Sequence, residues 1–193
     1  MKTIIKNTLI CLLGVLMLGG GVGMFSRVSI GTDSLTCFYE GISLKTGLTV
    51  GTVSLLANLA YVVIVFFLDK KKIGIATFLY MIVGKYPIDF MNEHFFTPDN
   101  IFVAILLDIV ICVIIGVGCS LIVASKLGVT AYDALTTSTS EVLHKKYVIV
   151  RYIYDASFLI LGVLLGGKIG IGTIIALIVI GPVFDFANKK LVK

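Results

Sequence analysis

The sequence predicts an all-α membrane protein: six transmembrane helices in two inverted three-helix repeats, with a short re-entrant or interfacial helix in each repeat. Three observations predict it. First, 58% of the 193 residues are hydrophobic and only 14% are charged, against roughly 25% charged in soluble domains. Second, the apolar residues fall into six runs near the length of about 20 residues that a span needs. Third, the two halves of the chain match each other on glycines and polar residues. The mean hydropathy of +1.08 excludes a disordered chain, a secreted disulfide scaffold and an ordinary soluble enzyme.

The runs lie at Ile4–Phe25, Thr49–Leu68, Ile73–Phe90, Ile101–Ser125, Tyr147–Leu165 and Ile169–Phe186. The third is the weakest, because Lys85 and Pro87 interrupt its end. The first follows Lys2 and Lys6 and ends near Gly19-Gly20-Gly21, a pattern a signal peptide shares. It is read as a span of the fold because it has a counterpart in the fourth run.

The net charge of +5 belongs to the loops rather than to a nucleic-acid surface. Lys2, Lys6, Lys70–Lys72, Lys126, Lys145, Lys146, Arg151, Lys189, Lys190 and Lys193 fall on one side of a six-span topology. Arg27, Lys45, Lys85 and Lys168 fall on the other. Basic loops stay in the cytoplasm. Both termini are therefore expected there, in a multi-pass protein of the bacterial cytoplasmic membrane with the lipid bilayer as its first partner.

A shift of 97 places Gly19, Gly21 and Gly31 on Gly116, Gly118 and Gly128, Ser54 on Arg151, and Asn58 on Asp155. A shift of 96 places Lys72-Ile73-Gly74-Ile75-Ala76-Thr77 on Lys168-Ile169-Gly170-Ile171-Gly172-Thr173, and Asp89-Phe90 on Asp185-Phe186. The repeats are read as residues 1–97 and 98–193 of one integrated membrane domain. Three spans per repeat invert the second relative to the first, an arrangement found in many secondary transporters.

Between the first and second spans of each repeat lies a polar segment, 31–47 and 128–144. Gly31 and Gly128 suit the residue after a helix end. Thr32 or Thr130 suits the cap of a short helix that follows. Asp33, Tyr132 and Asp133 are the candidate gate residues on these segments. Either a re-entrant or an interfacial placement fits, and inversion puts one segment at each face.

The pattern Gly128-Val-Thr-Ala-Tyr-Asp-Ala-Leu135, Arg151-Tyr-Ile-Tyr-Asp155, Gly170-Ile-Gly-Thr173 and Gly181-Pro182 with Asp185 resembles the YczE/YitT-like family of bacterial integral membrane proteins. The resemblance covers nearly the whole chain. It implies a small polytopic protein and no assigned reaction. Such proteins often carry a proline shortly before the aromatic-Asp pair, where this chain has Ser34 and Ala131.

Charged residues inside spans are costly and prompt a functional reading. Arg151 and Asp155 are four apart, on one helix face. Asp155 sits two turns into its span, roughly 12 Å at 1.5 Å per residue, and its mate is Asn58. The alternative reading is a structural ion pair. Asn58, Arg151 and Asp155 are the candidate substrate residues, joined by Asp108, whose mate is Cys11 and which suits a proton or cation role. Asp89 and Asp185, near Pro87 and Pro182, read as helix-terminal residues. Gly19–Gly23, Gly116–Ser120 and Gly162–Gly166 read as close-packing steps. Cys11, Cys112 and Cys119 lie in apolar runs and Cys37 in a loop reachable from outside. Cysteine and histidine spacings give no metal site. No catalytic triad or HExxH pattern appears, so neither enzyme chemistry nor a cofactor is expected.

The leading function is a transporter or permease of a small solute, with its site between the repeats near the membrane midplane. The alternatives are a substrate-capture subunit of an energy-coupling importer and a non-transporting regulatory or structural membrane protein. An anionic solute suits Arg151 only if Asp155 does not already neutralise it. The glycine faces leave a homo-oligomer open.

Overall fold

A computed structural model describes residues 2–191. The protein is all-helical, with 83% of residues in helices and no strand among the described residues. The helices are α1 (Lys2–Val28), α2 (Ser34–Thr46), α3 (Val50–Asp69), α4 (Ile75–Val83), α5 (Lys85–His94), α6 (Ile101–Ala124), α7 (Ala131–Val142), α8 (Tyr147–Leu164) and α9 (Ile171–Leu191). Five of them, α1, α3, α6, α8 and α9, are long and apolar enough to cross a membrane.

The third apolar run is not one helix, which corrects the expectation of six uninterrupted spans. It breaks at Gly84 into α4 and α5, of nine and ten residues. The break has a local cause. Pro87 has no N–H to give the carbonyl of Val83, four residues back, and its ring crowds that carbonyl. α9 carries Pro182 and still runs through it.

α1 and α6 form the central pair, and glycine makes their crossing close. A Cβ on Gly14 would lie 2.7 Å from the Gly118 carbonyl oxygen, and one on Gly118 would lie 2.8 Å from the Leu18 nitrogen. α5 packs on the Gly19–Gly23 step of α1, where added Cβ atoms would meet Pro87 and Met91. α9 packs on the Gly116–Ser120 step of α6: Val183 covers Gly116, and Ser120 Oγ donates to the Phe184 carbonyl at 2.9 Å. α2 packs on α8 across Gly162, and α3 packs on α7. The small-residue steps are therefore helix contacts, as their spacing predicts.

The two polar segments form α2 and α7. Asp33 caps α2 by accepting from the Leu35 and Thr36 amides, so Asp33, and not Thr32, is its N-cap. Thr130 caps α7 by accepting from the Asp133 amide. The turns after α1 and α6 are made by Ser29 at φ 61° and Lys126 at φ 58° rather than by the glycines. Gly31 and Gly128, at φ +111° and +119°, serve close approach instead. Gly31 abuts Gly170 and Gly172, and Gly128 abuts Gly74. Alongside, Gly172 N–H donates to the Ile30 carbonyl at 3.0 Å and Ala76 N–H to the Leu127 carbonyl at 3.1 Å. This is why the Lys-Ile-Gly-Ile-x-Thr motif occurs twice. Each copy opens a helix against the glycine turn of the other half.

Cys37 is not in a loop. It lies inside α2, fully buried against Gly162 of α8 and Gly167 of the turn that follows it, because the segment folds into a helix whose apolar side needs cover.

Candidate functional site

A cavity of about 670 Å³ opens among α1, α2, α3, α4, α6, α7, α8 and α9. It lies within the 300–1,000 Å³ range typical of small-molecule sites. Asn58, Arg151, Asp155, Asp33, Tyr132 and Asp133 all line it. The structure thus brings together six of the seven residues singled out from the sequence, from four segments of the chain.

Arg151 is the hub. Its Nε donates to Asp155 Oδ2 at 3.3 Å, and its Nη1 donates to Asp133 Oδ1 at 2.7 Å and to Tyr147 Oη at 2.9 Å. Its guanidinium stacks over the Tyr132 ring, 4.6 Å from the centroid, a cation–π contact. Asp155 Oδ1 accepts from Tyr132 Oη at 2.7 Å and from Ser34 Oγ at 2.9 Å. Asp133 Oδ2 accepts from Thr130 Oγ1 at 2.8 Å. One network therefore ties the first turns of α2 and α7 to the middle of α8.

Asn58 is 2% exposed. Its Nδ2 donates to the Ser54 carbonyl at 2.8 Å. Only the amide nitrogen can bond a carbonyl, so the orientation of the side chain is fixed. Oδ1 is left at the cavity wall with no hydrogen-bond partner among the described residues. An acceptor that faces the cavity is open to a donor from a ligand or water. Arg151 Nη2 likewise bonds no described residue. Four carboxyl groups, Asp33, Asp133, Asp155 and Asp185, face the cavity against one basic side chain, Arg151. Burial pushes the Asp33 carboxyl above its usual range, with the Thr36 hydroxyl and amide opposing the rise. Tyr39, Tyr80, Tyr132, Tyr147, Tyr152 and Phe184 supply aromatic wall.

Asp108 lies elsewhere. It is fully buried beside Cys112 and against the first turn of α9, where a Cβ on Gly172 would meet its Oδ1 at 2.8 Å. A carboxyl at a helix N-terminus answers the dipole there, and Asp108 Oδ1 has no hydrogen-bond partner among the described residues. It does not line the cavity.

Sequence reasoning missed Tyr147, Ser34 and Asp185 as cavity residues. Tyr147 was readable, since it precedes Arg151 by four and Asp155 by eight on one face of α8. Ser34 had no such signal, because it reaches Asp155 only through the packing of α2 on α8. Asp185 was taken as a helix-terminal residue like Asp89. Asp89 does act so: it accepts from Gly51 N–H at 2.8 Å and Thr49 Oγ1 at 2.9 Å, closing the start of α3. Asp185 faces the cavity. Among the described residues no cluster of three His, Cys, Asp or Glu side chains suits a metal ion.

Residues 5–189 match the family described as Family of unknown function (DUF6198), and the chain belongs to that family. It is 28% identical over 181 residues to an uncharacterized protein of Haemophilus influenzae, covering 94% of this chain and 83% of the relative. It is 29% identical over 171 residues to the uncharacterized protein YyaS of Bacillus subtilis, covering 84% of this chain and 83% of that one. No solved structure matches the chain. The YczE/YitT-like name suggested by the motifs is not carried by these matches.

Proposed function

We propose, for a member of a family without an assigned activity, that the protein is a membrane carrier for a small solute bearing a positive charge. The reading has six crossings in two inverted repeats, 1–97 and 98–193, with α4 and α5 together forming the broken third crossing. One observation carries it. Positions that correspond at the shift of 97 line one cavity: Asn58 with Asp155, and the two N-cap residues Asp33 with Thr130. A pseudo-two-fold axis in the membrane plane places equivalent residues around a central site, where carriers bind their cargo.

The charge of the cargo follows from the network. Arg151 is already paired with Asp133 and Asp155, so it holds no uncompensated charge for an anion. The excess of carboxyl groups attracts a cation, and the tyrosine faces favour one further. Asn58 Oδ1 accepts a donor such as an ammonium N–H, and Arg151 Nη2 supports a carboxylate if the solute is a zwitterion. The paired close approaches at Gly31 and Gly128 support the repeat, and the basic loops support a multi-pass placement with both termini in the cytoplasm. No residue arrangement in the cavity suggests bond-making chemistry, and the proposed role is binding and movement.

The test is a thermal-shift panel of primary amines, quaternary ammonium compounds, amino acids, and organic and inorganic anions on the detergent-purified protein. A ligand at 100 times its Kd stabilises by about 2.7 kcal/mol, a readable rise in Tm. Cations or zwitterions should raise it, and Asn58→Ala should abolish the rise without unfolding the protein. Stabilisation by anions alone overturns the charge assignment. No stabilisation by any compound moves the weight to the partner-binding alternatives, an importer subunit or a regulatory membrane protein.

A further inference from the structure

The third crossing is broken in the first half and continuous in the second, and the difference has the form of a gate. We infer that α9 bends at Gly181–Pro182 to carry Asp185 onto the N-terminus of α8, closing the cavity as Asp89 already closes the opposite end against α3. The inference rests on the carrier reading for the correspondence between the halves.

In the first half the equivalent contact is made. The helix is broken at Gly84, just before Pro87, and α5 packs on α3. Asp89 accepts from the Gly51 amide and the Thr49 hydroxyl. The approach is so close that a Cβ on Gly51 would lie 2.6 Å from Asp89 Oδ1. In the second half the same parts are present but apart. α9 is unbroken through Gly181 and Pro182. Asp185 makes no hydrogen bond or ion pair with any described residue and lines the cavity. The N-cap residue of α8, Lys146, makes no side-chain cap hydrogen bond. The cavity lies between the two, with Tyr147 and Val148 on one wall and Pro182 and Asp185 on the other.

Three physical points connect the open half to a closed one. An uncapped helix N-terminus offers free amides to a carboxylate, and the nearest unpaired carboxylate on α9 is the counterpart of Asp89. Nothing lies within 4 Å of where a Cβ on Gly181 would be. Packing in this conformation therefore does not require glycine there, whereas a hinge beside a proline does benefit from one. The shift of 97 places Lys146 at Thr49 and Val148 at Gly51. The closed contact repeats the one at Asp89, with the Asp185 carboxylate on the first amides of α8 beside Lys146.

Cys119 is a native reporter, since it lines the cavity, while Cys11, Cys37 and Cys112 are buried. The experiment uses the full chain with Lys146→Cys and Asp185→Cys, oxidised in membranes, then treated with a maleimide, reduced and analysed by mass. The expected result is a disulfide between the two introduced residues and at least a tenfold fall in Cys119 alkylation. Failure to form the disulfide, or a disulfide that leaves Cys119 labelled at the starting rate, overturns the gate. Gly181→Ala is the second variant, because the open conformation has room for the methyl group. It should fold with an unchanged Tm, and in the cysteine-pair background it should slow disulfide formation about tenfold. An unchanged cross-linking rate overturns the hinge. These readouts need no solute. A gate that closes in a protein no solute stabilises retains the hinge and removes the cargo assignment. A solute that binds without any cross-link does the reverse.

Discussion

Arg151 separates two ways in which a charge pair can be built. A lone i, i+4 pair on a helix surface contributes little, about 0.3–0.5 kcal/mol. Here the guanidinium also reaches Asp133 on α7 at 2.7 Å and lies over Tyr132, so losing it leaves two carboxylates facing each other. Arg151→Ala should therefore cost about 2–3 kcal/mol, as for lost hydrogen bonds to charged groups, below the cost of breaking a fully buried pair because the side chain is 34% exposed. Asp155→Asn should cost about 1–2 kcal/mol, because Asn still accepts from Ser34 and Tyr132 and Arg151 keeps Asp133. Chemical denaturation of both variants in one detergent checks the order, and equal costs would show that Asp133 does not share the charge. The spacing of Arg151 and Asp155 was legible in the sequence. Their third partner was not, because Asp133 arrives from a helix whose packing no local pattern encodes. The same limit explains Cys37: its polar neighbours read as a loop, while the face it presents is covered by Gly162 of another helix and Gly167 of the turn after it.

Helix ends and helix crossings carry the next level. α3 is held at its start by its own Thr49 and by Asp89 from α5. Asp89→Ala should cost about 1–2 kcal/mol, the range for losing an N-cap interaction. Asp185→Ala should cost within about 0.5 kcal/mol, as for surface substitutions without a specific contact. A thermal melt of the two variants tests the asymmetry, and equal losses would mean that Asp185 has a partner in solution. Crossings respond to volume instead. Gly14→Val forces a side chain into the Gly118 carbonyl, and overpacking of this kind costs about 1–3 kcal/mol. The glycine steps were readable as contacts from spacing alone, but not which helix each would meet. The break in the third run was marked by Pro87, yet proline also sits within the unbroken α9. What distinguishes the two is whether a neighbouring helix end holds the bent form, and that is a tertiary property.

At the scale of the whole molecule, the repeat was the strongest signal in the sequence, because glycine and polar matches survive where apolar ones mean little. It marked the segments that became the paired turns at Gly31 and Gly128 and the paired residues Asn58 and Asp155. It did not show that the halves would differ in conformation, since identical motifs are compatible with one half closed and the other open. On the proposed orientation that difference has a direction. The mouth between α8 and α9 lies at the end carrying Lys145, Lys146, Lys189 and Lys190, the basic end expected in the cytoplasm. The Asp89 contact closes the opposite end. Cys119 sits towards the C-terminal end of α6, on the same side as that mouth. A membrane-impermeant maleimide should therefore label Cys119 in inside-out vesicles and not in right-side-out ones. Cys37, with no exposed surface, should stay unlabelled in both. Labelling of Cys119 from the outer side alone would reverse the orientation while leaving the cavity intact. Labelling of Cys37 from the outer side would instead show that α2 does not stay packed on α8, and with it would go the link from Ser34 to Asp155.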